Sequence, residues 1–367
     1  MSQIDIKTRS KSYPVIIEPG ALGRSVQYLD SLQSGQRWII VTQPPVNELY
    51  GQTLFSALRH HQFDVDILVL PKGEEAKNSR HLTGYMQQLV DLDCDRNSML
   101  IALGGGVVGD VTGFLAAVYM RGMAFCQFPT TLLAMVDASV GGKTALNLPE
   151  GKNLIGAFHQ PDLVLADPHC LVSLPRREIN AALAEILKYG AIKEKEFFDQ
   201  TAKNLVTLGE LSDQDILSLT IQQSCQIKAS IVGRDELDQG ERLLLNFGHT
   251  IGHALEAAAG YSSLLHGEAV AYGMWCAGWI SQHLGLLSAD QWATLQKVLN
   301  GLTLPGLSGI DQSAVLQYIK RDKKMQRGVL RFVVLTQLGA AVIREDISAD
   351  ILDQAIAKLF QIDFEMP

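Results

Sequence analysis

The chain has nine histidines in 367 residues. Three of them, His249, His253 and His266, fall in the run NFGHTIGHALE (246–256) and in LLHGEAV (264–270) just after it. His249 and His253 stand four apart, so a helix puts both on one face. A lone helical histidine is more often a hydrogen-bonded core residue than a ligand. Here a third histidine opens the next helical segment, and Gly248, Gly252 and Ala254 leave room for a bound species. A zinc site that does catalysis takes three protein ligands and keeps one position open. The remaining ligand is expected to be a carboxylate or another histidine. Glu185 in NAALAEILKYG (180–190) offers a carboxylate amid Ala, Ile and Leu, where it needs a partner. The competing partner is Lys188, three residues on.

A second run suits a different chemistry. LIALGGGVVGDVTGFLAA puts an apolar strand directly before Gly104, Gly105, Gly106 and Gly109. Glycines at that position let a phosphate approach backbone N–H groups at a helix N-terminus without a Cβ in the way. Gly104-x-Gly106-x-x-Gly109 matches the dinucleotide fingerprint. It follows the third strand-like run rather than opening the fold, however, and no Asp or Glu stands about twenty residues on to hold a ribose. DASVGGKT (137–144) ends like a phosphate-binding P-loop, but Asp137 stands where the first glycine is required, which excludes that class of NTPase. Gly141, Gly142 and Lys143, with EGKN (150–153) after them, read as backbone and lysine contacts to an anion. Further cations are Lys188, Lys228, Arg242 and the run Lys320, Arg321, Lys323, Lys324. A charge run is usually a solvated face. Arg242, Asn246, His249 and His253 differ, recurring every three or four residues along one expected helical stripe. A nucleotide loop, a three-ligand metal site and surplus cations together imply an anionic substrate.

The elements that must position these groups fall into two sets. WIIVT (38–42), VDILVLP (65–71) and SMLIALGGG (98–106) are short, apolar and closed by turn residues, with amphipathic stretches such as 80–92 between them. Strands alternating with helices imply a Rossmann-like parallel sheet covered on both faces. Beyond DPHCLVSLPRREIN (167–180) the chain reads as helices at 177–200, 213–233, 241–259, 267–284 and 311–322, with a β-hairpin at 329–345 before a last helix. The expected division is an α/β domain, 1–175, and a mostly helical domain, 176–367. Ligands of open α/β sheets gather at the carboxyl ends of the strands. With 47% hydrophobic and 19% charged residues the chain is an ordinary globular one. It holds no apolar run of eighteen residues, and its polar start, MSQIDIKTRSKSYP, points to the cytoplasm rather than to export. Five scattered cysteines without a Cys-x-x-Cys fit reduced thiols. A net charge of −8 argues against a nucleic-acid binder.

Taken in order, PKGEEAKN, GGGVVGD, YMRG, FPTTLLAMVDASVGGKTALN, GKNLIGAFHQP, LPRREINAALAEILKYG, LLNFGHTIGHALE, LHGEAVAYGM and RDKK resemble the 3-dehydroquinate synthase family of sugar-phosphate cyclases over nearly the whole chain. The resemblance implies a homodimeric carbon–oxygen lyase that uses NAD and one zinc or cobalt ion. Its reaction would convert 3-deoxy-D-arabino-heptulosonate 7-phosphate to 3-dehydroquinate and phosphate by transient oxidation, phosphate elimination, re-reduction and intramolecular aldol closure. It implies Glu185, His249 and His266 as metal ligands. NAD contacts would come from Gly73, Glu74, Glu75 and Lys77, from Gly105, Gly106, Val107, Val108, Gly109 and Asp110, from Thr130 and Thr131, and from Cys170, Leu171, Val172 and Ser173. Lys143 and Lys152 could serve cofactor or substrate. Asp137, Asn153, Lys188, Lys228, Arg242, Asn246, His253 and Lys324 would surround the substrate, and Arg121 would reach the phosphate in the neighbouring subunit's site. Where the family often carries an Asp or Asn toward the adenosine ribose, this chain has Gln43, Pro44 and Pro45.

Three rivals follow. Another sugar-phosphate cyclase would take a substrate without a carboxylate, and Lys228 with Arg242 count against it, since a carboxylate in a partly dry site needs charge-assisted partners. An NAD- and metal-dependent polyol dehydrogenase would have no use for the Lys143, Lys152 and Asn153 group. A non-enzymatic binding protein would have no need to keep every metal and anion position filled.

Overall fold

The computed structural model describes residues 1–32, 37–260, 263–325 and 329–362, the side chains of 321–325 excepted. The chain divides into two compact units. The first unit, Met1–Leu174 with Gln214–Leu237, is built on a seven-stranded sheet. Its strands are β1 (Ser2–Lys7), β2 (Ser12–Ile17), β3 (Arg37–Thr42), β4 (Asp64–Val69), β5 (Met99–Gly104), β6 (Ala124–Pro129) and, beyond a separate hairpin of β7 (Lys143–Leu148) and β8 (Gly151–Phe158), β9 (Leu163–Ala166). The order across the sheet is β1-β2-β9-β6-β5-β3-β4. Only β1 runs antiparallel to its neighbour.

Burial on both faces explains why these strands read as unbroken apolar runs. Side chains alternate along them with period two. Ile39, Val41 and Leu100 thus join one core with Phe114, Leu115 and Phe125, while Trp38, Ile40, Met99, Ile101 and Leu103 join the other with Cys126, Phe128 and Leu165. The order reverses where β4 lies to one side of β3 and β5 to the other, and such a switch point leaves a crevice beyond the carboxyl ends. The strands β1, β2, β6 and β9 have no counterpart in the sequence reading.

The second unit, Pro175–Asp213 with Asp238–Pro367, is mostly helical. Its site-bearing helices are Arg176–Lys193, His249–Ala258 and His266–His283, and a short hairpin of β10 (Phe332–Gln337) and β11 (Ala340–Arg344) precedes a last helix, Ala349–Leu359. Four differences from the sequence reading matter. A single boundary near 175 does not describe the division, because the helix Gln214–Arg234 packs on β1, on β2 and on the turns Ala134–Ala138 and Pro168–Ser173 of the first unit. The expected helix at 177–200 breaks at Glu194, whose extended backbone (φ −143°) separates Arg176–Lys193 from Lys195–Lys203. A further helix, Ala289–Leu299, lies where none was expected. The expected helix at 241–259 is in fact a 3₁₀ turn, Glu241–Asn246, and a separate helix from His249, parted by Gly248 in a left-handed conformation (φ 81°).

Candidate metal and dinucleotide sites

Gly248 shows why that break exists. A Cβ there would sit 2.7 Å from Met274 Cγ and 2.8 Å from the Val270 carbonyl oxygen. Gly252 would meet the Ala269 carbonyl oxygen at 3.0 Å, and Gly273 the Gly248 carbonyl oxygen at 1.8 Å. The glycines beside the histidines therefore let two helices touch backbone to backbone; they do not clear space for a ligand, as their small size had suggested. Close packing of His249–Ala258 on His266–His283 is what brings three imidazoles together, with ring centroids 5.2 to 5.6 Å apart. Among the described residues their nitrogens form one group whose geometry could hold a metal ion.

Glu185, fully buried on the Arg176–Lys193 helix, faces this group. Its Oε1 lies 3.5 Å from His249 Nε2 and 3.4 Å from His266 Nε2. Its Oε2 pairs with Lys188, so the metal reading and the Lys188 reading hold together. Each imidazole is steadied through its other nitrogen. His249 Nδ1 lies 3.2 Å from the Phe247 carbonyl oxygen, and His266 Nδ1 lies 3.0 Å from Glu256 Oε2. With Nδ1 donating its proton in the neutral ring, each Nε2 keeps a lone pair on the side of Glu185, where it can bind a metal. Burial first, then the neighbouring Lys188 ammonium, holds the His249 pKa well below its ordinary value, favouring the neutral ligand form. Burial also presses on His266, but hydrogen bonds to Glu185 and Glu256 outweigh it and raise this group to about 10. Two neutral-capable imidazoles and one carboxylate are a donor set that suits zinc or cobalt. His253 lies on the same helix, exposed, next to the other two.

In the first unit the residues expected at NAD, Lys143 and Lys152 apart, follow carboxyl ends of parallel strands. Gly73, Glu74, Glu75 and Lys77 form a 3₁₀ turn after β4, the glycine run follows β5, Thr130 and Thr131 follow β6, and Cys170–Ser173 follow β9. Gly105 precedes the helix Gly106–Val118 without a side-chain cap, leaving first-turn N–H groups to a phosphate. Side chains larger than glycine would crowd this loop: a Cβ at Gly105 falls 3.1 Å from Thr131, and one at Gly106 falls 3.2 Å from Ala138. Val107 and Asp110 are half-buried in the first turns of the helix, where Val108 packs inward. These features fit a dinucleotide. Gln43 donates its amide to the carbonyls of Pro71 (2.8 Å) and Gly73 (2.9 Å), so it braces the turn after β4. Tyr50 donates to the Cys170 carbonyl and the Ser173 hydroxyl, bracing the turn after β9.

Two lysines of this unit hold other expected site residues. Lys77, 5% exposed, binds Asp110 Oδ2 at 2.6 Å and also donates to Asn153. Burial pushes the Asp110 carboxyl up, against the pull of Lys77. Lys228 donates to the Asp137 carboxylate (2.7 Å) and carbonyl (2.6 Å). Of the groups expected as anion contacts, Gly141 and Gly142 lead into the β7–β8 hairpin, and EGKN (150–153) covers its turn and the start of β8; Lys143 is exposed on the first strand and Lys152 half-buried on the second. A cavity lined by Asp110, Lys143, Thr144, Asn153 and Phe158 opens there, about 240 Å³ in volume.

Not every expected residue is gathered in the same way. Arg242 is buried and Asn246 half-buried, but the 3₁₀ turn takes them off the helical stripe of His249 and His253. Arg121 is exposed, in a strained turn with Met120 (φ 47°), Arg121 (φ 69°) and Gly122 (φ 119°) all left-handed or beyond. The side chains of Arg321, Lys323 and Lys324 lie outside the described residues. Glu256 was missed. The signal was its spacing, seven after His249 and three after His253, on the buried side of a helix.

Two solved structures of closely similar architecture define the class. A 2-epi-5-epi-valiolone synthase from Streptomyces hygroscopicus with NAD and zinc bound superposes with a TM-score of 0.88 at 28% identity, covering 96% of this chain and 98% of that one. A 2-deoxy-scyllo-inosose synthase complexed with carbaglucose-6-phosphate, NAD and cobalt gives 0.87 at 26%, covering 97% and 99%. The fold is thus that of the sugar-phosphate cyclases. Residues 67–181 match the N-terminal and 182–325 the C-terminal family model of 3-dehydroquinate synthase. The 3-dehydroquinate synthases of a Synechococcus strain and of Haemophilus ducreyi are each 42% identical to it, over 96% and 98% of this chain and 98% and 100% of theirs. The chain belongs to the 3-dehydroquinate synthase family, whose members are lyases acting on a phosphate with NAD and a divalent metal.

Proposed function

We propose that the Glu185, His249 and His266 group holds a single zinc or cobalt ion and serves the conversion of 3-deoxy-D-arabino-heptulosonate 7-phosphate to 3-dehydroquinate and phosphate. The observation that carries this is the aim of both Nε2 atoms at one carboxylate oxygen, 3.4 and 3.5 Å away, on a buried glutamate. When bound, NAD supplies a transient hydride acceptor and the metal a Lewis acid.

The remaining work falls to side chains. Lys228 and Arg242 are assigned to the substrate carboxylate, for which a charge-assisted pair suits a partly dry site. Asp137 fixes the Lys228 ammonium through two hydrogen bonds. Lys152 and Asn153 are assigned to the phosphate, Lys143 to cofactor or phosphate, and Asn246 and Lys324 to substrate hydroxyls and anion. His253, exposed beside the metal ligands, is assigned to moving a proton at its ring nitrogen. Lys188 neutralises part of the Glu185 charge. The glycine loop, the turn from Gly73 to Lys77, Thr130, Thr131 and the turn from Cys170 to Ser173 are assigned to NAD, giving the first unit the dinucleotide role and the second the metal role. We assign Arg121 of one subunit to the phosphate of the other's site in a homodimer. A cytoplasmic setting is supported by five free, buried cysteines.

The test is phosphate release from that substrate with zinc and catalytic NAD, with absorbance at 340 nm followed in parallel. Phosphate release without NADH accumulation, abolished by a chelator and in Glu185→Ala and His249→Ala, is the expected result. Steady NADH formation from a simple polyol, with no phosphate released, would instead identify a dehydrogenase.

A further inference from the structure

His266 is held differently from its partner ligand. The His249 imidazole rests on a neutral carbonyl, that of Phe247, only two residues away in its own chain segment. The His266 imidazole rests on a carboxylate, Glu256, carried on the other histidine helix ten residues upstream. Glu256 is 5% exposed. A carboxylate so dry is costly unless charge-assisted contacts meet it. Its Oε2 lies 3.0 Å from His266 Nδ1, and the same ring presents Nε2 to Glu185 Oε1 at 3.4 Å. The ring therefore bridges two carboxylates, one on each side. A neutral imidazole in this place has its proton on Nδ1, donated to Glu256, and its lone pair on Nε2.

We propose that Glu256 is a positioning residue for the metal: it acts through His266, fixing the Nε2 lone pair toward Glu185 and making that nitrogen a stronger donor than the carbonyl-backed His249. The inference rests on the metal reading of the Glu185, His249 and His266 group and deepens it. Helix packing explains the location. Gly252 and Gly273 allow the two histidine helices to approach at backbone contact, which is close enough for a short carboxylate on one to reach the first residue of the other.

The experiment uses the full chain, stripped of metal with a chelator and dialysed, then titrated with Co²⁺. Two readouts are followed: the visible d–d spectrum and the dissociation constant by competition with a chelating dye. Wild type is expected to bind one Co²⁺, and His249→Ala to lose it. Glu256→Ala is expected to weaken Co²⁺ binding by about 10- to 100-fold and to alter the spectrum. Glu256→Gln, whose amide oxygen still accepts from Nδ1, should fall between wild type and alanine. Far-UV circular dichroism of the metal-free proteins checks the fold, and if Glu256→Ala does not fold, Glu256→Gln decides. Wild-type affinity and spectrum in whichever of the two folds overturns the positioning role while leaving the metal site intact. No Co²⁺ bound by wild type overturns the metal reading and the proposal with it.

Discussion

Two cationic groups held by carboxylates, Lys228 and His266, set the electrostatics at the level of single residues. Lys228, 5% exposed, is fixed by the Asp137 carboxylate and carbonyl, which hold its ammonium in one direction. On the assignment of Lys228 to the substrate carboxylate, Lys228→Ala would remove one charge-assisted hydrogen bond, worth about 1.5–3 kcal/mol. Steady-state phosphate release should then show kcat/KM lower by about 10- to 100-fold, and a loss below threefold would remove Lys228 from the substrate's contacts. His266 gives a pH prediction. Its pKa in the metal-free chain is raised to about 10, so at pH 8 the ring carries a second proton that a metal must displace from Nε2. Metal binding at pH 8 should release protons to the buffer, and apparent affinity should climb as pH rises toward that value. Calorimetric titrations in buffers of different ionisation enthalpy count those protons, and an enthalpy independent of buffer contradicts the assignment.

At the level of elements, glycine positions separate packing from propensity. Gly273 lies in the middle of the His266–His283 helix, where intrinsic preference disfavours it, because a Cβ would fall 1.8 Å from the Gly248 carbonyl. Gly273→Ala must push two helices apart and should cost about 3 kcal/mol or more in urea unfolding of the metal-free protein. Metal affinity should fall with it, since the same contact brings His249 and His266 together. Gly84, in the exposed face of Leu82–Asp91, has nothing within 4 Å of a Cβ. Gly84→Ala should stabilise by about 0.5–1 kcal/mol in the same assay. Similar changes in both variants would mean the close approach at Gly273 has been misjudged.

For the whole molecule, the question is whether one chain suffices. Arg121 is exposed on a turn held in left-handed conformations, a backbone state that is costly and clusters at functional positions. Arg121→Ala should bind NAD normally, by fluorescence titration, yet lose phosphate release. Mixed with inactive His249→Ala under conditions of subunit exchange, it should recover part of the activity, because half of the mixed dimers' sites would be complete. Absence of recovery, with exchange verified by differential tagging, would place Arg121 in its own chain's site or in none.

The sequence by itself determined the family, the alternation of strands and helices, the metal ligands as candidates and the glycine loop. These are local or ordered patterns: a period of two or 3.6, a four-residue histidine spacing, motifs in a fixed succession. Sequence reading also placed Glu185 and Lys188 together correctly, since three residues on a helix is a geometric statement. What needed the tertiary structure involves groups far apart in the chain. Gln214–Arg234 is an ordinary helix by its own pattern, and only its packing on β1 and β2 assigns it to the first unit. Glu256 is one glutamate among many until the adjoining helix sets it 3.0 Å from His266. Gly248 and Gly252 look like empty space in one dimension and prove to be a contact in three, because the volume a missing Cβ leaves is filled by whichever backbone can approach it.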